Sequence, residues 1–129
     1  MRFRVQKLIR DQLPAIMRAQ GLAVFERRLD EAEFVAALKD KLLEEAQEAH
    51  EASSGAELAE ELADVLEVVH ALASASGVSL DDVEACRQAK RAERGGFDAR
   101  VFNAAVEADD GSPAAEYYLA RPTQYPRED

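Results

Sequence analysis

With 26 Asp and Glu against 16 Lys and Arg in 129 residues, the chain carries a formal net charge of −10, which excludes a dominant role on nucleic acid or on an anionic membrane surface. The length suits one domain, and a 47% hydrophobic content rich in Ala, Leu and Val, with no Trp, favours helix over sheet. The single Cys86 excludes an internal disulfide and fits a reducing cytoplasm, and no apolar run reaches the length of a membrane span or a signal-peptide core.

Lys7-Leu8-Ile9-Arg10-Asp11 reads as a lead-in turn, because Pro14 suits the first turn of a helix and breaks an interior. The helix it opens should stop near Gly21, and residues 23–29 read as a short extended link. Asp30 with Glu33 makes a capping box ahead of the apolar stripe Val35, Leu38, Leu42, Ala46 and Ala49. Ser54 with Glu57 makes a second, ahead of Leu58, Leu62, Val65, Val69 and Leu72, and this helix should end at Gly77. Ser79 with Asp82 starts a third such helix, through Val83, Cys86 and Ala89 to Gly95-Gly96, in which Cys86 reads as small core filling. Phe97, Val101, Phe102 and Val106 mark a short amphipathic segment. Beyond it, Asp109-Asp110-Gly111-Ser112-Pro113 is a linker signal, followed by a short turn of helix. Residues 1–106 are thus expected to form the domain, and residues 107–129 an acidic, Pro-containing tail that is frayed or laid over a partner subunit.

Two acidic stretches stand out within this order. Lys41-Leu42-Leu43-Glu44-Glu45-Ala46-Gln47-Glu48 and Glu60-Glu61-Leu62-Ala63-Asp64 each hold a carboxylate pair at i, i+3, which a helix brings to one face. In so acidic a chain such pairs arise by composition, and acids such as Glu31 or Glu67 read as merely solvated. Glu45, Glu48, Glu61 and Asp64 differ because they flank the apolar stripes, where a solvating acid does not belong. Packed as an antiparallel hairpin, the two stripes would bring all four carboxylates together at the edge of the core. Four anions there repel one another and lose hydration, so they call for a hard divalent cation, Mg²⁺ or Mn²⁺.

A phosphate-bearing ligand on such a metal needs cations. Lys90, Arg91 and Arg94 end the third capped helix just before Gly95-Gly96-Phe97, a placement that also serves a helix dipole and ordinary helix termination. Lys7 and Arg10 form a second basic pair. His50 and His70 have no partner at a metal-ligand spacing, and the sequence has neither a P-loop nor a nucleophile–base pair for covalent catalysis.

Taken in order, Lys7-Leu8-Ile9-Arg10-Asp11 with Pro14, the Glu45-x-x-Glu48 and Glu61-x-x-Asp64 pairs, and Lys90 with Arg94-Gly95-Gly96-Phe97 resemble a known family. This is the MazG-like branch of the all-α nucleoside triphosphate pyrophosphohydrolases, particularly small proteins labelled phosphoribosyl-ATP pyrophosphohydrolase-like. Gln12 departs from the pattern, which usually has Lys there, and the tail beyond Glu107 has no counterpart in it. The resemblance implies an all-α, MazG-like helical bundle completed by dimerisation, as a homodimer or a larger assembly. It implies Mg²⁺ on Glu45, Glu48, Glu61 and Asp64, with Mn²⁺ as a substitute. The substrate it implies is a nucleoside triphosphate, cut between the α and β phosphates to a monophosphate and pyrophosphate in nucleotide-pool house-cleaning. Glu45 then serves catalysis as well as metal binding, and Glu44 orients water or holds another metal. Lys7, Arg10, Lys90, Arg91 and Arg94 are the candidates for the phosphates. Two alternatives stand beside this reading: a phosphoribosyl-ATP pyrophosphohydrolase of histidine biosynthesis, and a non-catalytic helical interaction dimer.

Overall fold

Helix boundaries fall where capping chemistry puts them. The computed structural model describes residues Met1–Asp129 and contains five α-helices and no strand, as an all-α chain should: α1 (Leu13–Ala19), α2 (Glu31–Glu51), α3 (Gly55–Ala75), α4 (Leu80–Arg94) and α5 (Pro113–Leu119). Ahead of α1 the chain makes the expected turn, with the Leu13 amide donating to the Arg10 carbonyl at 3.0 Å, and Pro14 sits in the first turn where its missing N–H costs nothing. At the other end Gly21 takes φ 92°, and the Gly21 and Leu22 amides return to the Arg18 and Met17 carbonyls. This is a Schellman closure, and it needs the left-handed conformation that glycine adopts without a Cβ penalty. The link that follows has no regular structure and is pinned by the Arg18–Glu26 ion pair at 2.8 Å and by the Arg18 guanidinium on the Val24 carbonyl.

Both long helices start on the residues that the capping signatures mark. Asp30 accepts from the Glu33 amide at 2.8 Å while the Glu33 carboxylate reaches back to the Asp30 amide, completing the box. Ser54 accepts from the Glu57 amide at 3.2 Å, but the Glu57 carboxylate returns one residue further, to the Ser53 amide and hydroxyl at 2.8 Å each. That shifted box fixes the three-residue connection, and α2 and α3 pack on each other as an antiparallel hairpin, the only helix pair in the chain that does so. The centre of the contact is small: Leu38, Val68 and Ala73 are the buried apolar residues. Full burial of a side chain like Leu38 is worth roughly 1.5–3 kcal/mol, so the hairpin rests on few such contacts. At the end of α3, Gly77 (φ 69°) closes a second Schellman motif, with its own amide on Ser74 and that of Val78 on Ala73.

The third capped helix, α4, begins as expected, with the Asp82 amide on the Ser79 hydroxyl at 3.0 Å. It turns away from α3 by 116° and buries none of its residues. Cys86 is therefore exposed rather than core filling, because no element of the chain packs against the α4 face that carries it. No single helix is long and apolar enough to cross a membrane.

The chain divides into two compact units, Met1–Glu93 and Arg94–Asp129. In the second unit, residues 97–106 form no helix, and Phe97, Val101 and Phe102 are almost wholly exposed. The tail is ordered by its own residues. Ser112 caps α5, and the rings of Tyr118 and Tyr125 meet edge-on at 4.9 Å, with Tyr117 edge-on to Tyr118 at 5.2 Å. The Arg121 guanidinium lies 3.9 Å from the centroid of Tyr117, a cation–π contact.

Candidate metal centre

The α2–α3 hairpin brings the two carboxylate pairs into one place. Glu45 and Glu48 come from the last half of α2, Glu61 and Asp64 from the first half of α3, so an antiparallel arrangement folded at Ser53-Ser54 sets them opposite each other. One carboxylate oxygen from each lies within 4.8 Å of the others. The set grades from buried to open: Glu45 is 6% exposed, Glu61 and Asp64 are half-buried, and Glu48 faces solvent. Beside it an open acidic cleft is lined by Glu48, Glu51, Ala52, Glu57 and Glu61.

Two oxygens of this group, Glu45 Oε2 and Glu61 Oε2, are buried without a hydrogen-bond partner. A buried carboxylate oxygen left unpaired is costly, and a cation among these donors removes the cost. The donor set is all oxygen, which suits Mg²⁺ or Mn²⁺ and does not suit a soft metal. Burial, followed by the neighbouring Glu48 carboxylate, pushes Glu45 above the ordinary carboxylate range, with Lys41 opposing. The residues present therefore fit a hard divalent ion.

Cations line the rim of the cluster. Lys41, one turn before Glu45 on α2, reaches Glu45 Oε1 at 3.4 Å and Glu44 Oε2 at 3.2 Å. Lys7 reaches Glu44 Oε1 at 3.0 Å, so both oxygens of Glu44 are engaged by lysines. Burial raises Glu44, but hydrogen bonds from Lys7 and Lys41 outweigh it and hold the carboxyl below its usual range. Arg10 donates to Asp64 Oδ1 at 2.8 Å. Lys7 and Arg10 thus stand at the acids themselves, although no regular element carries them there. Glu44 lies outside the four-carboxylate cluster. Lys90 and Arg91 lie exposed on α4, which packs on neither α2 nor α3, and Arg94 opens the second unit. Lys41 is a site residue that the carboxylate motifs do not single out. Its i, i+4 spacing to Glu45 and i, i+3 spacing to Glu44 is the signal that marks it.

A protein-family model described as phosphoribosyl-ATP pyrophosphohydrolase matches residues 21–91, more than half of the chain and a stretch that contains all four cluster carboxylates. Neither the curated proteins nor the solved structures include a significant match.

Proposed function

The chain belongs to the phosphoribosyl-ATP pyrophosphohydrolase family, MazG-like all-α enzymes that hydrolyse nucleotide pyrophosphate bonds, and from that premise we propose a Mg²⁺-dependent nucleoside triphosphate pyrophosphohydrolase acting in cytoplasmic nucleotide house-cleaning. The observation that carries the reading is the convergence of Glu45, Glu48, Glu61 and Asp64, with two of their buried oxygens left without a partner. In this reading the four carboxylates hold Mg²⁺, or Mn²⁺ in its place. Bound there, the ion would neutralise the triphosphate, polarise the α phosphorus and supply hydroxide near neutral pH.

The chain's own residues set the geometry. Glu45, the most buried of the four, has the least freedom to move and fixes the inner edge of the site. Glu48, the most open, faces the side from which a substrate arrives. Lys41 neutralises part of the charge on Glu45, and Glu44 anchors Lys7 and Lys41 at the rim. The departing pyrophosphate gains charge in the transition state. Exposed Lys90, with Arg91 and Arg94 in the same stretch, is proposed to stabilise it, and groups acting there change turnover as well as binding.

A panel of ribo- and deoxyribonucleoside triphosphates plus phosphoribosyl-ATP, each with Mg²⁺, tests the assignment. The expected products are a nucleoside monophosphate and pyrophosphate, and Lys90→Ala is expected to lower turnover about 10–100-fold. Orthophosphate and a nucleoside diphosphate as first products would refute the α–β cut. The family's own description supports a second reading, phosphoribosyl-ATP as the substrate of histidine biosynthesis. Strong preference for that compound over every triphosphate in the panel decides for it.

A second copy of the chain belongs to the same proposal. Leu58, Leu62 and Leu66 on α3 are 40%, 49% and 59% exposed, and Leu80 and Val83 on α4 are 39% exposed each, so both helices carry apolar faces that the chain does not cover. Light scattering at micromolar concentration is expected to give the mass of a homodimer or a larger assembly. A monomer mass there counts against it.

A further inference from the structure

Arg10 belongs to a segment without regular structure, and its guanidinium Nη2 lies 2.8 Å from Oδ1 of Asp64, 54 residues further along the chain. Three residues earlier, Lys7 is fastened to Glu44 at 3.0 Å. The N-terminal segment is therefore tied at two points, to Asp64 of the cluster on α3 and to Glu44, the neighbour of Glu45, on α2. An exposed ion pair of this kind contributes little to stability, so its consequence lies in what it does to the Asp64 side chain.

A carboxylate offers two oxygens. A guanidinium held on Oδ1 restricts rotation of the Asp64 side chain and leaves Oδ2 to accept elsewhere. Groups that hold a ligating carboxylate from behind orient it for a metal, and their loss commonly weakens metal binding. Lys7, Lys41 and Arg10 reach Glu44, Glu45 and Asp64, and three cations among more carboxylates than that leave net negative charge for a bound cation to meet.

We propose that Arg10 is a positioning residue for the metal site: by holding Oδ1 of Asp64 it presents the second oxygen to an ion shared with Glu45, Glu48 and Glu61. The inference rests on the metal reading above, and the N-terminal segment then becomes a working part of the site although it lies outside residues 21–91.

Mn²⁺ titration followed by water-proton relaxation tests it on the unmodified protein, Arg10→Ala, Arg10→Lys, Asp64→Asn and the Arg10→Ala/Asp64→Asn double variant. Thermal midpoints in excess chelator are measured alongside. Arg10→Ala is expected to weaken Mn²⁺ binding about 10–100-fold. Arg10→Lys should recover part of that loss, and both midpoints in chelator should stay close to that of the unmodified protein. In the double variant, removing Arg10 should cost little beyond Asp64→Asn, because the two act through one carboxylate. Equal or tighter Mn²⁺ binding by Arg10→Ala would overturn the proposal and make Arg10 a competing counter-cation. A lowered midpoint in chelator, with Lys no better than Ala, would overturn it in favour of a structural tie. Absence of Mn²⁺ binding by the unmodified protein would overturn the metal reading and this proposal with it.

Discussion

Glu45→Gln and Asp64→Asn are each expected to lower Mg²⁺-dependent turnover by about 100-fold or more, which corresponds to at least about 2.7 kcal/mol of lost transition-state stabilisation. Each substitution keeps the size of the side chain and removes one anion from a place where four crowd within 4.8 Å. The fold should therefore survive, and Glu45→Gln should raise stability in chelator, since it removes a charge that burial and Glu48 both disfavour. Circular dichroism with steady-state kinetics on the preferred substrate checks both halves. Full activity in Glu45→Gln would remove that carboxylate from the mechanism. Loss of helix in either variant would mean that the acids serve the fold instead.

The second large effect is on stability. A ligand that binds only the folded state at a hundred times its dissociation constant stabilises it by about 2.7 kcal/mol. For a chain of this length that is a rise of about 8–12 °C in thermal midpoint on adding Mg²⁺ or Mn²⁺. Glu48→Gln should blunt the rise, and equal midpoints in chelator and in excess metal would defeat the metal assignment. The rise should also depend on pH, through Glu45. In the folded protein its carboxyl lies above the ordinary range, because of burial and Glu48, with Lys41 opposing. In chelator, the stability that the Glu45 proton contributes is fully present below the ordinary carboxylate value and is lost as pH rises through the raised folded value. A metal needs the deprotonated group. Metal stabilisation should therefore shrink as pH falls through that window, and Glu45→Gln should remove this component.

Much of the hairpin is legible in the amino-acid sequence, because its signals are local. Asp30 with Glu33 and Ser54 with Glu57 mark both helix starts, Gly77 marks an end, and the i, i+3 carboxylates follow from helix geometry alone. Even there Glu57 settles on Ser53 rather than Ser54, a one-residue shift that spacing does not encode. Interactions across long stretches of chain are harder to read. Lys7 with Glu44 and Arg10 with Asp64 join residues 37 and 54 positions apart, and a basic pair near an N-terminus says nothing about which acids it will meet. Cys86 misleads in the opposite direction. An apolar helical pattern promises a buried face, but burial needs a neighbour, and no helix packs on α4. In the tail the short helix after Ser112-Pro113 is legible, but the contacts of three tyrosines and one arginine spread over nine residues are not, because no periodicity announces them.

The three-residue connection between α2 and α3 also bears on how the protein comes into being. All four carboxylates lie between residues 45 and 64, on two helices joined by a three-residue link, so closing this part of the chain costs little entropy. Contacts this local form early and fast in folding. During synthesis the donor set is complete once residue 75, the end of α3, has left the ribosome, before α4 and the tail exist as folded elements. On the metal assignment proposed above, a divalent ion would bind the nascent chain before α4 has folded.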